Sequence, residues 1–395
     1  MITLKELELL FDSGSFVELG ERQECSLIAG YGTVGGKLCY AFLQDSERAG
    51  GAFGKTAGTK IVRLYNLALK SKAPIIGFLD STGFLVDEGA EALNAFSEVY
   101  RAAYCAKNDI LQIMIIGGKC LGQMRSLANM GDFLIRDVDM EEALMTAKEI
   151  VRVMPPARGM LPEQFDNMDD LNRLNPDIFS KIESGTEVLR EISDEGFLLE
   201  AEGDIAPEII CGFIKINGLM VAAISSNHEI NGGRLSYKGM IKAKRLIDTA
   251  QKFSLGILNV SNTEGFLTDE DQILVAQAAQ ELSSAFIGAD VPKVNLITGG
   301  VTGGIYSVMN GRNAMSDLTF LWEGARVNII DPLQAAELVY GPLDAAEAES
   351  KAKEYEESHS TAETLEKLGL LDKVIRPEET RKYLAGAFET YANVF

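Results

Sequence analysis

Two stretches far apart in this chain carry one message. STGFLVDEG spans 81–89 and TEGFLTDED spans 263–271. Gly83 aligns with Gly265, Phe84 with Phe266, Asp87 with Asp269 and Glu88 with Glu270, always at an offset of 182. The same offset sets Gly36 on Gly218, Gly50-Gly51 on Gly232-Gly233, Lys60 on Lys242, Leu64 on Leu246 and Gly122 on Gly304. The register reads as unbroken from about residue 36 to 122. A repeat that long excludes a short-period solenoid and constrains the chain to two domains of one fold. A length of 395 residues with 46% hydrophobic content lets each copy bury its own core.

Each copy alternates strands and helices. KLCYAFLQD (37–45) reads as a strand, and the spacing of Ile61, Leu64, Leu67 and Ala68 predicts a helix over 58–72. The short apolar run 73–80 predicts a buried strand in a largely parallel sheet. A helix over 89–107, a strand over 110–118 and a helix from 122 follow. The second copy repeats this order from GLMVAAIS to GGIYSVMN. The fold class is therefore α/β, with crossover connections inside each copy. The stretch 154–177, rich in Pro, Asp and Asn, reads as the join, giving domains 1–160 and 178–395 with 161–177 as linker. The charged segment 346–369 predicts a helical tail.

Composition limits the partners. A net charge of −21 repels a nucleic-acid backbone, so nucleic acid is excluded as a partner. Arg48, Lys55, Lys60 and Arg63 read either as a local patch for a phosphate-bearing ligand or as solvated helix-face charges. No apolar run is long enough to span a membrane, and the acidic N-terminus is no signal peptide. Five scattered cysteines without CxxC spacing suggest reduced thiols and a cytoplasmic location. With two histidines, His228 and His359, and no HExxH, no metal site is expected.

In each copy a strand ends in Gly-Gly, the chain turns, and a helix begins near Gly122 or Gly304. Such a turn is either simple architecture or a place where unpaired N–H groups meet a ligand oxygen. Ligands collect at strand C-terminal ends in open α/β sheets. That makes Gly50, Gly51, Gly54, Ser81, Thr82 and Gly83 candidate substrate-binding positions in the first copy. Thr263, Glu264, Gly265, Phe266, Gly303 and Tyr306 are the candidate positions in the second copy. No GxSxG, GxxxxGK[ST] or GxGxxG occurs, so backbone donors are favoured over a side-chain nucleophile. His228 reads as a loop or core residue, and Glu88 and Glu264 as loop charges or trial bases.

The chain resembles the carboxyltransferase subunits of biotin-dependent acyl-CoA carboxylases and decarboxylases. AGGAFGKTAGTKIVRLYNLALKSKAPIIGFLDSTG and GKCLGQMRSLANMGDF carry the resemblance in the first half. KGMIKAKRLIDTAQKFSLGILNVSNTEGF, VPKVNLITGGVTGGIYSVM and LTFLWEGARVNIIDPLQAAELVY carry it in the second. It implies two tandem crotonase-like domains. It also implies that biotin on a separate carrier protein meets a coenzyme A thioester between the first domain of one subunit and the second of another. Two backbone oxyanion holes are implied, one at Gly122 and Gln123 for the thioester enolate, the other at Gly304 and Ile305 for the biotin ureido oxygen. The implied partners are a biotin carboxyl carrier protein, a biotin carboxylase or membrane decarboxylase subunits, and at least one further copy of this chain.

The sequence departs from the family pattern chiefly in its first half. Gln123 stands where the family has a second glycine, and Thr82-Gly83-Phe84-Leu85 where it has Gly-Gly-Ala-Arg. Gly299-Gly300 replace an Arg-Lys. Some tens of residues are missing after GDFLI (131–135), and the loop around Glu21–Ser26 is abbreviated. Two alternatives follow: a non-catalytic scaffold of such a complex, or a biotin-independent crotonase-type enzyme.

Overall fold

A computed structural model describes residues 4–20, 25–160, 162–166 and 169–391, so most of the abbreviated loop at Glu21–Ser26 lies outside the described residues. The chain divides into two compact units, Met1–Glu163 and Gln164–Phe395. Of the expected linker, 161–177, residues from 164 onward fall within the second unit, where the Asn175 amide donates to the Glu378 carbonyl at 2.9 Å.

The first unit runs α1 (Leu4–Leu10), β1 (Val17–Glu18), β2 (Leu27–Val34), β3 (Lys37–Gln44), α2 (Lys55–Ser71), β4 (Ile75–Ser81), α3 (Ala90–Ala106), β5 (Gln112–Cys120), α4 (Gln123–Ala128), β6 (Phe133–Ile135) and α5 (Met140–Val153). Its six strands lie in chain order. β1, β2 and β3 pair antiparallel, and β3 to β6 pair parallel. The sheet is therefore mixed: β2, unassigned from the sequence, adds an antiparallel hairpin to the parallel core. α2 turns Ala57, Ile61, Leu64, Tyr65 and Ala68 inward. Each large side chain of that stripe contributes about 1.5–3 kcal/mol by leaving water. Tyr65 stays satisfied in the core, its hydroxyl donating to Gln112 Oε1 at 2.9 Å.

The second unit runs α6 (Gly185–Ile192), β7 (Leu198–Glu200), β8 (Ile209–Ile216), β9 (Leu219–Ser226), α7 (Tyr237–Lys252), β10 (Gly256–Thr263), α8 (Gln272–Gly288), β11 (Lys293–Thr302), a π-helical turn Tyr306–Asn310, β12 (Leu318–Trp322), β13 (Arg326–Asn328), α9 (Pro332–Tyr340), α10 (Ala345–His359), α11 (Ala362–Lys367), β14 (Lys373–Ile375) and α12 (Thr380–Tyr391). Its sheet order is β14-β12-β11-β10-β9-β8-β7, with β13 also on β11. The expected tail is two helices, because Thr361 starts a new one by capping the Thr364 amide.

The ladder corrects the repeat register. α3 and α8 keep the offset of 182, but β4 pairs Ile75 with Gln112 while β10 pairs Ile257 with Lys293. The connection from helix to strand is one residue shorter in the second unit, so β5 and β11 correspond at 181. Gly122 is thus equivalent to Gly303, not Gly304.

Among the described residues no helix is long and apolar enough to cross a membrane.

Candidate active site

The repeated GFLxDE stretch builds the same loop twice. The Phe53 amide donates to the Gly83 carbonyl at 2.8 Å, and the Leu235 amide to the Gly265 carbonyl at 2.9 Å. The Thr82 and Glu264 amides each reach a glycine carbonyl, that of Gly50 and of Gly232, at 3.1 Å. Glu88 accepts the Lys55 amide at 2.5 Å and Glu270 the Tyr237 amide at 2.8 Å. These glutamates close the N-terminal turns of α2 and α7, where exposed N–H groups favour a carboxylate. Glu88 therefore caps a helix. Gly54 is buried beside it, and a Cβ there would lie 2.5 Å from Glu88 Oε1.

Several candidate substrate positions make contacts that build this loop. Ser81 and Thr263 are buried, and their hydroxyls accept the Gly83 and Gly265 amides at 3.2 Å each. Gly51 is buried, with φ +69°, and a Cβ would sit 1.9 Å from the Asp80 carbonyl oxygen. Gly50, Thr82, Gly83, Glu264 and Phe266 keep surface exposure, whereas Gly265 is buried. Glu264 pairs with Arg234 at 2.8 Å, and His228 Nε2 lies 3.6 Å from Glu183 and 4.0 Å from Glu264.

Beside the loop, each parallel pair bulges. β4 pairs Leu79 with Ile116 and then Ser81 with Cys120, while β10 pairs Ser261 with Ile297 and then Thr263 with Val301. One strand thus gains two residues over its partner, and a side chain fills the gap. Asp80 Oδ1 accepts the Lys119 amide at 2.9 Å; Asn262 Oδ1 accepts the Gly300 amide at 3.0 Å. Only glycine fits opposite: a Cβ on Gly118 would lie 2.5 Å from the Asp80 carboxyl, and one on Gly299 2.3 Å from Asn262 Oδ1. Sequence reasoning missed Asp80, Asn262, Gly118 and Gly299 as a device; the Asp/Asn before Ser/Thr at matching positions was the available signal.

The chain leaves each bulge through a glycine in the left-handed region, Gly122 at φ +56° and Gly303 at φ +80°. The unbonded amides that follow differ. In the first unit the Gly122 and Gln123 amides make no hydrogen bond among the described residues. In the second the Gly303 amide donates to the Asn328 carbonyl at 2.8 Å, and the unbonded pair is Gly304 and Ile305, one step further on. Gly122, Gln123 and Gly304 are exposed; Ile305 is fully buried directly behind Gly304. A Cβ on Gly122 would meet nothing within 4 Å, and one on Gly304 only the Phe266 ring at 3.4 Å. The first turn therefore keeps both residues at the surface, whereas in the second only Gly304 reaches it. Tyr306 follows in the π-helical turn, its hydroxyl pushed up by burial.

The basic patch is partly neutralised. Lys55 pairs with Glu91 at 3.0 Å and Arg48 lies 3.7 Å from Asp45. Lys60 and Arg63 line a cavity of about 150 Å³ with Leu19 and Gly20. A second cavity, about 480 Å³, is lined by Asp169, Arg173, Arg190, Glu191, Glu195 and Gly196. Neither includes a residue of the two turns. No group of His, Cys, Asp and Glu among the described residues is arranged to hold a metal.

A family model described as "Carboxyl transferase domain" matches residues 1–147 and 134–394. The propionyl-CoA carboxylase beta chain of Cereibacter sphaeroides is 27% identical over 463 aligned positions, covering 99% of this chain and 91% of its own. The methylmalonyl-CoA decarboxylase subunit alpha of Veillonella parvula is 25% identical, covering 100% and 90%. Those alignments are longer than this chain, so its relatives carry residues it lacks. The two matched stretches overlap at 134–147, where β6 passes into α5 through residues 136–139. Among solved structures, transcarboxylase 12S with hydrolysed methylmalonyl-coenzyme A superposes with a TM-score of 0.92 at 22% identity, covering 99% of this chain and 89% of that one. A single-chain long-chain acyl-CoA carboxylase gives 0.81 at 18% identity, covering 97% and 46%. The fold is two tandem crotonase-like units.

Proposed function

The chain belongs to the carboxyl transferase domain family, and from that premise we propose that it moves a carboxyl group between biotin, borne by a separate carrier protein, and an acyl-CoA. One observation carries the proposal: the same bulged strand in both units ends in a turn with two unbonded backbone amides. Gly122 and Gln123 would stabilise the enolate oxygen of the thioester, and Gly304 and Ile305 the ureido oxygen of biotin. Fixed N–H dipoles stabilise developing negative charge without reorganising, and losing one such donor elsewhere costs about 3 kcal/mol of barrier. Among the described residues the amide of buried Ile305 has no acceptor, which fits that use, because a buried donor without an acceptor is costly unless something accepts from it. Bound biotin would supply the nitrogen that carries the carboxyl group. The chain itself holds the oxygens, with Asp80 and Asn262 fixing the strands that lead into both turns.

The relatives' names point to a short acyl-CoA such as propionyl- or methylmalonyl-CoA as substrate. A biotin carboxyl carrier protein, a biotin carboxylase or membrane decarboxylase subunits, and further copies of this chain are the proposed partners. The five unpaired cysteines support a cytoplasmic location. The residues missing from the first unit favour a second reading, a non-catalytic subunit of the same complex. Assaying decarboxylation of malonyl-CoA or methylmalonyl-CoA with free biotin separates the two. Biotin-dependent turnover supports the transferase; silence with retained binding of a biotin carrier supports the scaffold; turnover without biotin overturns both.

A further inference from the structure

We propose that Asn259, Asn295 and Asn310 are positioning residues that set the Gly304 and Ile305 amides of the second unit, an inference that rests on the oxyanion reading of that turn. The three side chains are almost wholly buried, at 2%, 0% and 0% exposure. Asn259 and Asn295 are direct partners in the β10–β11 ladder. Asn259 Nδ2 donates to the Met309 carbonyl at 3.0 Å and to Asn295 Oδ1 at 3.2 Å. Asn295 Nδ2 donates to the Asn310 carbonyl at 3.2 Å. Asn310 Nδ2 returns two bonds, to Ser261 Oγ at 2.8 Å and Asn295 Oδ1 at 2.9 Å. The far end of the π-helical turn that begins beside Ile305 is therefore tied to the two strands beneath it.

The first unit is the internal control. The ladder pair equivalent to Asn259 and Asn295 is Gly77 and Met114, and Leu79 stands for Ser261. There the strands are apolar, and the helix after the turn, α4, is an ordinary α-helix. In the second unit they are polar, and the helix is π, a rare form that recurs at functional sites. Packing alone does not require the polar version, since the first unit manages without it. The polar version also has a cost: Oδ1 of Asn259 and of Asn310 has no partner, and a half-satisfied buried network is worse for stability than an apolar core. What the asparagines add is direction. They hold the last two carbonyls of the turn, and through its short helix the amides at its start.

Asn295→Met gives the second unit the first unit's solution. Two measurements on the full chain decide the matter: hydrogen–deuterium exchange over residues 303–311, and steady-state decarboxylation of methylmalonyl-CoA with free biotin. The expected result is exchange faster by about tenfold in the π-helical turn, with the first unit unchanged, as for loss of a local closed structure. Turnover should fall about tenfold or more, with the acyl-CoA KM within about twofold, as when an interaction made only in the transition state is lost. Asn259→Ala, which removes the Met309 bond and leaves the Asn295–Asn310 pair, should show the same pattern at smaller size and serves if Asn295→Met does not fold. Unchanged exchange in both variants overturns the clamp. Faster exchange with unchanged turnover overturns the positioning role. A wild-type chain without turnover overturns the oxyanion reading, and the exchange arm then decides the clamp by itself.

Discussion

Glu270 Oε2 accepts the amide hydrogen of Tyr237 at 2.8 Å, closing the first turn of α7 from a loop 33 residues downstream. Glu88 does the same for Lys55 in the first unit. The duplicated motif is thus a helix cap supplied by a neighbouring loop. Glu88→Gln keeps an acceptor and is expected to leave turnover unchanged, while Glu88→Ala and Glu270→Ala each cost about 1 kcal/mol of stability. Urea midpoints and a decarboxylation assay check both. A large loss of turnover in Glu88→Gln would instead make this glutamate a base.

Ile305 has φ −59°, which proline adopts without strain. Ile305→Pro deletes the N–H and is expected to lower turnover by about 10²–10³. Ile305→Val keeps the N–H, costs about 1 kcal/mol of stability, and should remain far more active than the proline variant. Equal loss in both would assign the effect to packing.

Arg381 is fully buried, 2.6 Å from Asp194, and donates to the Ile192 carbonyl at 2.9 Å. Asp194 also accepts the Asn217 and Gly218 amides, which limits the damage when the cation is removed. Arg381→Met is expected to destabilise the second unit by about 3 kcal/mol, the lower end for breaking a buried pair. Chemical unfolding of the variant measures this.

The Lys181 ammonium, hydrogen-bonded to Glu191, holds that carboxyl below its ordinary value of 4.5. A carboxyl lowered on folding adds stability above its unfolded pKa and loses that share as pH falls through the folded one. Stability should therefore decline below about pH 4.5, and less steeply in Glu191→Gln. Urea unfolding across a pH series tests the slope.

Burial pushes the thiols of Cys39 and Cys211 up to about 12. Native alkylation should mark exposed Cys105 first and leave Cys39 and Cys211 unmodified until the chain is denatured. Mass spectrometry of the labelled peptides reads this directly.

Much of the architecture was legible in the residues. Helix periods and apolar runs are local, so α2, α3, α7, α8 and the central strands fall where Ile61, Leu64 and their counterparts put them. The duplication was legible for the same reason, since Gly83 and Gly265 each need positive φ in one repeated loop. The register past the helices was not. Gly117-Gly118 and Gly299-Gly300 match at an offset of 182, and Gly118 with Gly299 and Gly122 with Gly303 match at 181. Glycine carries no side chain to choose between them, and only the pairing of β5 and β11 with their neighbours does so. The same holds for Asn259, Asn295 and Asn310: separated in the chain, they become one network only when two parallel strands and a π-helical turn converge, because a hydrogen bond depends on position in space and not on distance along the sequence.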